Sequence, residues 1–224
     1  MAINQVGARL VFENAKAFVG SQGFDTSHAV LTQGYLRSEV AMSTSLAQYH
    51  IPVLTNDTTN GSQFSTEQRL ALQDIFVVSQ IGVFVAIPTA STTTGYSLYT
   101  YPSPQVFTTS GAATALYNLY NGSMNITVNN QQILPSWDLY RHLNAPQTQN
   151  GVGVTAQTIF PIDQNDASEY GFAATEPNIL LNGASNIQVN LTLPGAISTL
   201  QASTAPRIIV IWRGIKAQNV TSVR

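Results

Sequence analysis

Asn186–Leu193 reads NIQVNLTL, and apolar side chains alternate in it with uncharged polar ones. The two sets are Ile187, Val189, Leu191 and Leu193 against Gln188, Asn190 and Thr192. Side chains of a β-strand point alternately to opposite faces, so this segment is predicted to be a strand with one buried and one wet side. A chain built from such strands folds by burying their apolar faces against each other.

Strand patterns continue on both sides of this segment. Pro206–Lys216 (PRIIVIWRGIK) is almost continuously apolar, which is typical of a central strand, and Arg69–Pro88 contains two apolar runs broken near Ser79–Gln80. Shorter candidate strands are Tyr96–Pro102, Asn125–Asn130, Thr155–Ile162 and Asn178–Leu181. About a dozen to fifteen short strands with regular turns favour an all-β sandwich or barrel.

Helical patterns are few. Gly111–Tyr120 is predicted to form a short helix that ends at Asn121–Gly122. Pro135–Asn144 is predicted to form two helical turns, and the first twenty residues show a loosely helical spacing of apolar side chains. No stretch is apolar for long enough to predict a membrane-spanning helix, and no secretory signal is readable.

Charge is unusually scarce, because only 9% of the 224 residues are charged and 44% are hydrophobic. A monomer of this mass exposes about 10,000 Å² of surface, and average composition would place about 56 charged residues on it. The chain has 9 basic and 11 acidic residues. Since interface cores are depleted of charge, we interpret the chain as part of an assembly. The absence of cysteine excludes disulfides and thiolate sites.

No set of residues predicts catalysis, so the sequence predicts neither an enzyme nor a cofactor. Asp25, Ser27 and His28 are interpreted as a polar loop, because catalytic triads are assembled from separate segments. Asp138 and His142 lie four residues apart on the candidate helix, where a structural ion pair or hydrogen bond is expected. The third histidine, His50, is interpreted as a half-buried strand residue.

Two other clusters of residues were considered as binding sites, one for calcium and one for carbohydrate. Asp163–Glu169 has the densest set of oxygen ligands, but it lacks the central glycine of a calcium loop and is interpreted as a solvated turn. An aromatic cluster is interpreted as packing, with a carbohydrate platform as the alternative: Tyr96, Tyr99, Tyr101, Phe107, Tyr117 and Tyr120.

The end of the chain is basic. Its last 18 residues contain Arg207, Arg213, Lys216 and Arg224 and no acid. This pattern is typical of a solvated final strand and tail, and a face towards phosphate groups is the alternative. With a net charge of −2, no binding to a specific nucleic-acid sequence is predicted.

Two segments resemble a known family. Leu119–Gln149 (LYNGSMNITVNNQQILPSWDLYRHLNAPQTQ), preceded by Tyr96–Phe107 (YSLYTYPSPQVF), is similar to the double jelly-roll major capsid proteins of tailless, membrane-containing icosahedral phages. The resemblance implies two small barrels side by side with a few short helices. We place the boundary after Tyr120, where the candidate helix ends and Asn121–Gly122 turns the chain, so that residues 1–120 form an N-terminal segment and the first barrel and residues 121–224 form the second. A single jelly roll with extra strands is the alternative, because two barrels leave few residues for each strand.

The resemblance also implies a location and partners. It places the chain in the virion shell, assembled in the host cytoplasm, as homotrimers that tile with neighbouring capsomers and contact vertex proteins. It further implies an internal membrane as a partner, with residues 1–18 and the basic tail as candidates for the inward end. Two alternatives are a minor virion protein with one jelly roll and a carbohydrate-binding β-sandwich module.

Overall fold

The computed structural model describes residues 2–53, 70–86, 98–100, 112–143, 171–197 and 206–222. An N-terminal helix, α1 (Ala2–Ser21), precedes the strands, and a second helix, α2 (Ala112–Tyr120), lies in the middle of the chain. A 3₁₀-helix spans Leu139–His142. The strands in chain order are β1 (Phe24–Asp25), β2 (Val30–Ala41), β3 (Gln48–Pro52), β4 (Ile75–Ala86), β5 (Leu98–Tyr99), β6 (Ser123–Val128), β7 (Gln131–Asp138), β8 (Phe172–Asn182), β9 (Ile187–Thr192), β10 (Arg207–Gln218) and β11 (Thr221–Ser222).

The longer strands form two antiparallel sheets. The first sheet has the order β2-β10-β4, with both β8 and β5 pairing with β4, and the second has the order β3-β9-β6-β7. Short β1 and β11 pair separately. Apart from β6 and β7, which form a hairpin in the second sheet, successive long strands alternate between the sheets. The chain therefore crosses repeatedly from one sheet to the other.

The main core lies between the two sheets. The first sheet contributes Leu36, Ile81, Val83, Val85, Ile208, Val210 and Trp212, and the second contributes Tyr49, Ile51, Met124, Ile126, Ile187, Val189 and Leu191. These residues recur at every second position of their strands, so one face of each sheet is apolar. The predicted buried face of Asn186–Leu193 is confirmed by this arrangement.

The outer face of the first sheet is buried as well. At one end, Val19 of α1 packs with Ile75, Val77, Ala217 and Val220. At the other end, Phe84, Ala86 and Ile209 form a separate cluster that includes Phe172. Strands β4 and β10 are thus covered on both sides, and this explains why their sequences are almost continuously apolar.

The all-β prediction is confirmed, and so are the central position of Pro206–Lys216 and the short helix that ends at Tyr120. The helix stops there because the amide of Gly122 donates to the carbonyl of Leu119 at 3.1 Å. Thr155–Ile162 lies outside the described residues.

Three predictions need correction. The break near Ser79–Gln80 is a bulge within one continuous strand, β4. Pro135–Asn144 is not helical throughout, because β7 runs to Asp138 and only a 3₁₀ turn follows. The boundary between residues 1–120 and 121–224 is wrong for the described strands. Both large sheets combine strands from either side of it, as when β2 pairs with β10 along twelve residues.

Candidate functional site

The side chains on the outward side of the second sheet are mostly hydroxyls and amides. We call it the polar face, and its described side chains are Gln48, His50, Ser123, Asn125, Thr127, Gln132, Asp138, Gln188, Asn190 and Thr192. They form rows across the strands, because cross-strand partners in an antiparallel sheet point to the same side. One row runs from Gln48 through Thr192 and Ser123 to Asp138.

The next row of the polar face consists of His50, Asn190 and Asn125, and hydrogen bonds connect its side chains. The Nδ1 atom of His50 lies 2.6 Å from Oδ1 of Asn190, and Nδ2 of Asn190 donates to Oδ1 of Asn125 at 3.0 Å. Since Asn190 Oδ1 is an acceptor, His50 Nδ1 carries the proton of this bond. The ladder joins β3, β9 and β6 and holds three side chains in fixed positions on an exposed surface.

Titratable groups lie only at the margins of this surface. Among the described side chains of the polar face, His50 on β3 and Asp138 on β7 are the two titratable ones. The strand order places them at opposite edges of the sheet. The interior of the face, on β9 and β6, carries neutral donors and acceptors.

The first sheet differs, because its outer side holds buried charges. Glu39 accepts a hydrogen bond from Nε of Arg37 at 2.8 Å, and its other oxygen lies 3.4 Å from Nε of Arg207. The Glu39 side chain is 1% exposed. Its carboxylate is therefore enclosed between two guanidinium groups rather than presented to a ligand.

The basic end of the chain is also used internally. The guanidinium of Arg213 lies 3.7 Å from the ring centroid of Phe172, and Lys216 Nζ lies 2.9 Å from Asp74. Arg207 contacts Glu39 as described above, and Arg224 lies outside the described residues. The predicted solvated basic strand is wrong, because β10 is a central strand whose cations meet partners in the same chain.

His142 is fully buried and is fixed by two hydrogen bonds. Its Nδ1 lies 2.7 Å from the carbonyl oxygen of Gly171, and Trp137 Nε1 donates to its Nε2 at 2.8 Å. A carbonyl only accepts, so the proton resides on Nδ1 and the ring is neutral. The predicted pairing with Asp138 is wrong, because Asp138 instead accepts from the backbone amide of Tyr140.

This arrangement predicts an acid sensitivity. Burial lowers the pKa of His142 from 6.5 to about 4. The neutral, buried imidazole therefore stabilises the folded state fully above pH 6.5, and this stabilisation is lost as the pH falls towards 4, because the unfolded chain binds the proton first. The full decline is about 3 kcal/mol in the free energy of unfolding. We expect His142→Gln to be less stable than the parent at pH 7 and to lose most of that deficit by pH 4.5 in urea titrations. His28→Gln, at an exposed position, is the control. A deficit that is constant across this pH range would contradict the prediction.

The Asp25 segment is a local turn. Both the amide and the hydroxyl of Ser27 donate to the carboxylate of Asp25, at 2.8 and 3.0 Å. These bonds, the backbone one first, lower the pKa of Asp25. His28 is exposed beside them, so the structure agrees with a polar loop.

The aromatic cluster does not form one surface. Tyr120 is fully buried, its hydroxyl donates to the carbonyl of Tyr99 at 3.3 Å, and burial raises the pKa of that hydroxyl. Tyr117 is exposed, so Tyr117 and Tyr120 do not share one platform. Tyr96, Tyr101 and Phe107 lie outside the described residues, as does Asp163–Glu169.

Neither a metal centre nor a membrane span emerges from the part of the chain that is described. Within it, no three His, Asp or Glu side chains gather closely enough to hold an ion. No helix in the same ranges is both long and apolar enough to cross a membrane.

The sequence identified only one strand of the polar face. The wet side of Asn186–Leu193 was predicted, and it is indeed the outward side of β9. The neighbouring strands were missed as parts of the same surface. Their signal is the same alternation, with Gln48 and His50 against Tyr49 and Ile51 in β3. His50 is exposed rather than half-buried.

Comparison with known proteins adds no assignment. No protein-family model matches the chain, and no curated protein matches its sequence.

Proposed function

We propose that the chain is a structural subunit of a viral capsid shell, with its two sheets forming a single jelly roll. The observation that carries this proposal is the strand order. The eight longer strands lie in two antiparallel sheets with the orders β2-β10-β4-β8 and β3-β9-β6-β7, and the two-residue β5 also pairs with β4 in the first. Eight strands in two packed sheets, connected as Greek keys, are the arrangement of jelly rolls, which occur in viral capsid and lectin domains.

The scarcity of charge supports an assembled state. Of the few charged groups, Glu39, Arg207 and Asp74 are buried in internal ion pairs. The exposed polar face is almost uncharged, so it presents little electrostatic repulsion to a neighbouring subunit. In the proposed role the chain binds copies of itself and other shell proteins, and it performs no reaction.

One sandwich per chain changes the expected capsomer. Pseudo-hexagonal trimers need two barrels in each subunit, whereas the described strands of this chain combine into one pair of sheets. A trimer of this chain therefore has three lobes. A six-lobed particle of similar composition requires six chains, and a minor position at a vertex remains compatible with the same fold.

The solution mass of the purified protein tests the proposal. We expect light scattering to detect oligomers of the 24.1 kDa chain, such as a trimer near 72 kDa, with three lobes in negative-stain images. Larger shells or sheets at high protein concentration also agree with it. A monodisperse monomer at high concentration contradicts the proposal.

A carbohydrate-binding module is the second candidate. Jelly rolls also occur in lectins, and the ordered amides of the polar face are suitable donors and acceptors for sugar hydroxyls. The buried position of Tyr120 removes one ring from the aromatic platform that the sequence suggested. Glycan-array binding by an isolated monomer favours this candidate over the capsid subunit.

A further inference from the structure

We propose that the polar face is a contact surface for a second copy of this chain, which meets it with the same face across a two-fold axis. The inference rests on the proposed structural function and names the surface through which subunits associate. It follows from four features of the described residues: which faces are open, what chemistry they carry, where their charges lie and how large they are.

In the described residues, the two sheets differ in how far the outer sides of their central strands are open. On the first sheet, α1 and the Phe84 cluster cover β4 and β10, whose residues are buried on both faces. On the second sheet, the outward residues of β9 are partly or fully exposed while the alternate residues are buried. A neighbour that packs against a sheet of this sandwich therefore has the polar face available.

The chemistry of the face is self-complementary. Every amide and hydroxyl both donates and accepts hydrogen bonds, so a copy of the face offers a partner for each group. Carboxylates or ammonium groups do not have this property, because like charges repel across a symmetric contact. A two-fold contact uses the same patch on both subunits, and a neutral donor–acceptor surface meets that requirement.

The two titratable groups select the direction of the axis. His50 lies on the β3 edge and Asp138 on the β7 edge. A two-fold axis parallel to the strands places β3 of one copy opposite β7 of the other. The His50 imidazole of each copy then faces the edge that carries Asp138 of the other copy, one row further along the strands, and the contact contains two such pairs. An axis across the strands instead places β3 opposite β3, which brings like groups together.

The size of the face fits a lateral contact in a larger assembly. Four strands about 4.8 Å apart and six residues with a rise of about 3.3 Å give a patch about 19 Å by 20 Å. A stable dimer buries about 800 Å² on each partner, so this face alone gives a weak pair. In a shell every subunit has several neighbours, and weak contacts add together.

Charge substitutions at Gln188 test the inference. Gln188 lies on β9 within the polar face. We expect Gln188→Glu and Gln188→Lys each to weaken self-association at least tenfold by analytical ultracentrifugation, because both copies then carry the same charge. An equimolar mixture of the two variants is expected to regain the association of the parent, since opposite charges then face each other.

The matched controls are Gln33→Glu and Gln33→Lys, which place the same charges on an exposed position of β2 in the other sheet. These variants are expected to associate like the parent, and circular dichroism checks the folding of all four. Recovery in the mixture is itself evidence of folding, because a misfolded chain does not recombine.

Several outcomes overturn the inference. If the parent assembles and both Gln188 variants assemble equally well, the polar face is not the contact, while the capsid proposal stands. Equal losses in the Gln33 variants, or no recovery in the mixture, overturn it as well. A glycan that binds the monomer and is lost in Gln188→Glu assigns the face to carbohydrate instead. A parent that stays monomeric contradicts both proposals.

Discussion

Gly214→Ala is expected to destabilise the protein by more than about 4 kcal/mol, which is a large part of the total stability, because most domains are stable by only about 5–15 kcal/mol. Gly214 lies at the bulge where β10 shifts register against β4. A Cβ atom at this position would overlap the carbonyl oxygen of Val77 and fall 2.9 Å from its carbonyl carbon. Both atoms belong to the backbone of the neighbouring strand, so no side-chain rotation relieves the contact.

The neighbouring strand provides a matched control. Gly34 on β2 is the cross-strand partner of Gly214, and its Cβ meets nothing closer than a Phe76 ring carbon at 3.8 Å. That is an ordinary contact, and alanine lowers the entropy of the unfolded chain. We therefore expect Gly34→Ala to stay within about 1 kcal/mol of the parent. Urea unfolding of both variants measures the difference, and equal stabilities would falsify the steric explanation.

Alternation and apolar runs predicted the local structure well. Asn186–Leu193 and Pro206–Lys216 contain the signals of a half-open and a central strand, and both appear as β9 and β10. These patterns depend on which face each side chain occupies, and neighbouring residues encode that directly. The all-β class follows from the number of such segments and not from any single one.

Pairing between distant segments was not predictable in the same way. The predicted boundary lies after Tyr120 because the candidate helix ends there, yet β2 pairs with β10 although about 170 residues separate them. Such non-local pairing is decided by the whole sheet and not by local pattern. Pro135–Asn144 was predicted to be helical from its residue types. Pairing with β6 extends the first part of this segment, so tertiary context overrides local propensity.

In the candidate site, too, the local pattern was predictable from the sequence and the contacts between distant segments were not. The wet side of β9 was visible in the sequence, whereas its neighbours in the polar face depend on the sheet order. His142 was expected near Asp138 because four residues separate them on a helix. With β7 in that place, the ring turns inward to Trp137 and Gly171, and no sequence pattern marks those partners.

Glu39→Gln is expected to destabilise the protein by about 4 kcal/mol, because it removes a buried carboxylate that lies between two largely buried guanidinium groups. Glu39 lies between Arg37 and Arg207 at 2.8 and 3.4 Å, and the exposed fractions of the two arginine side chains are 16% and 8%. A neutral amide presents an NH₂ group to one arginine and removes the negative charge that both guanidinium groups face. Glu176→Gln, which removes an exposed carboxylate on β8, is the control and is expected to change stability by less than about 0.5 kcal/mol.

A triple variant separates charge from packing. Arg37→Met, Glu39→Leu and Arg207→Met together replace the network by apolar side chains of similar volume, and such replacements are often neutral or stabilising. We expect the triple variant to regain most of the stability that Glu39→Gln loses in urea titrations. If Glu39→Gln stays within 1 kcal/mol of the parent, the carboxylate is not compensating the arginines.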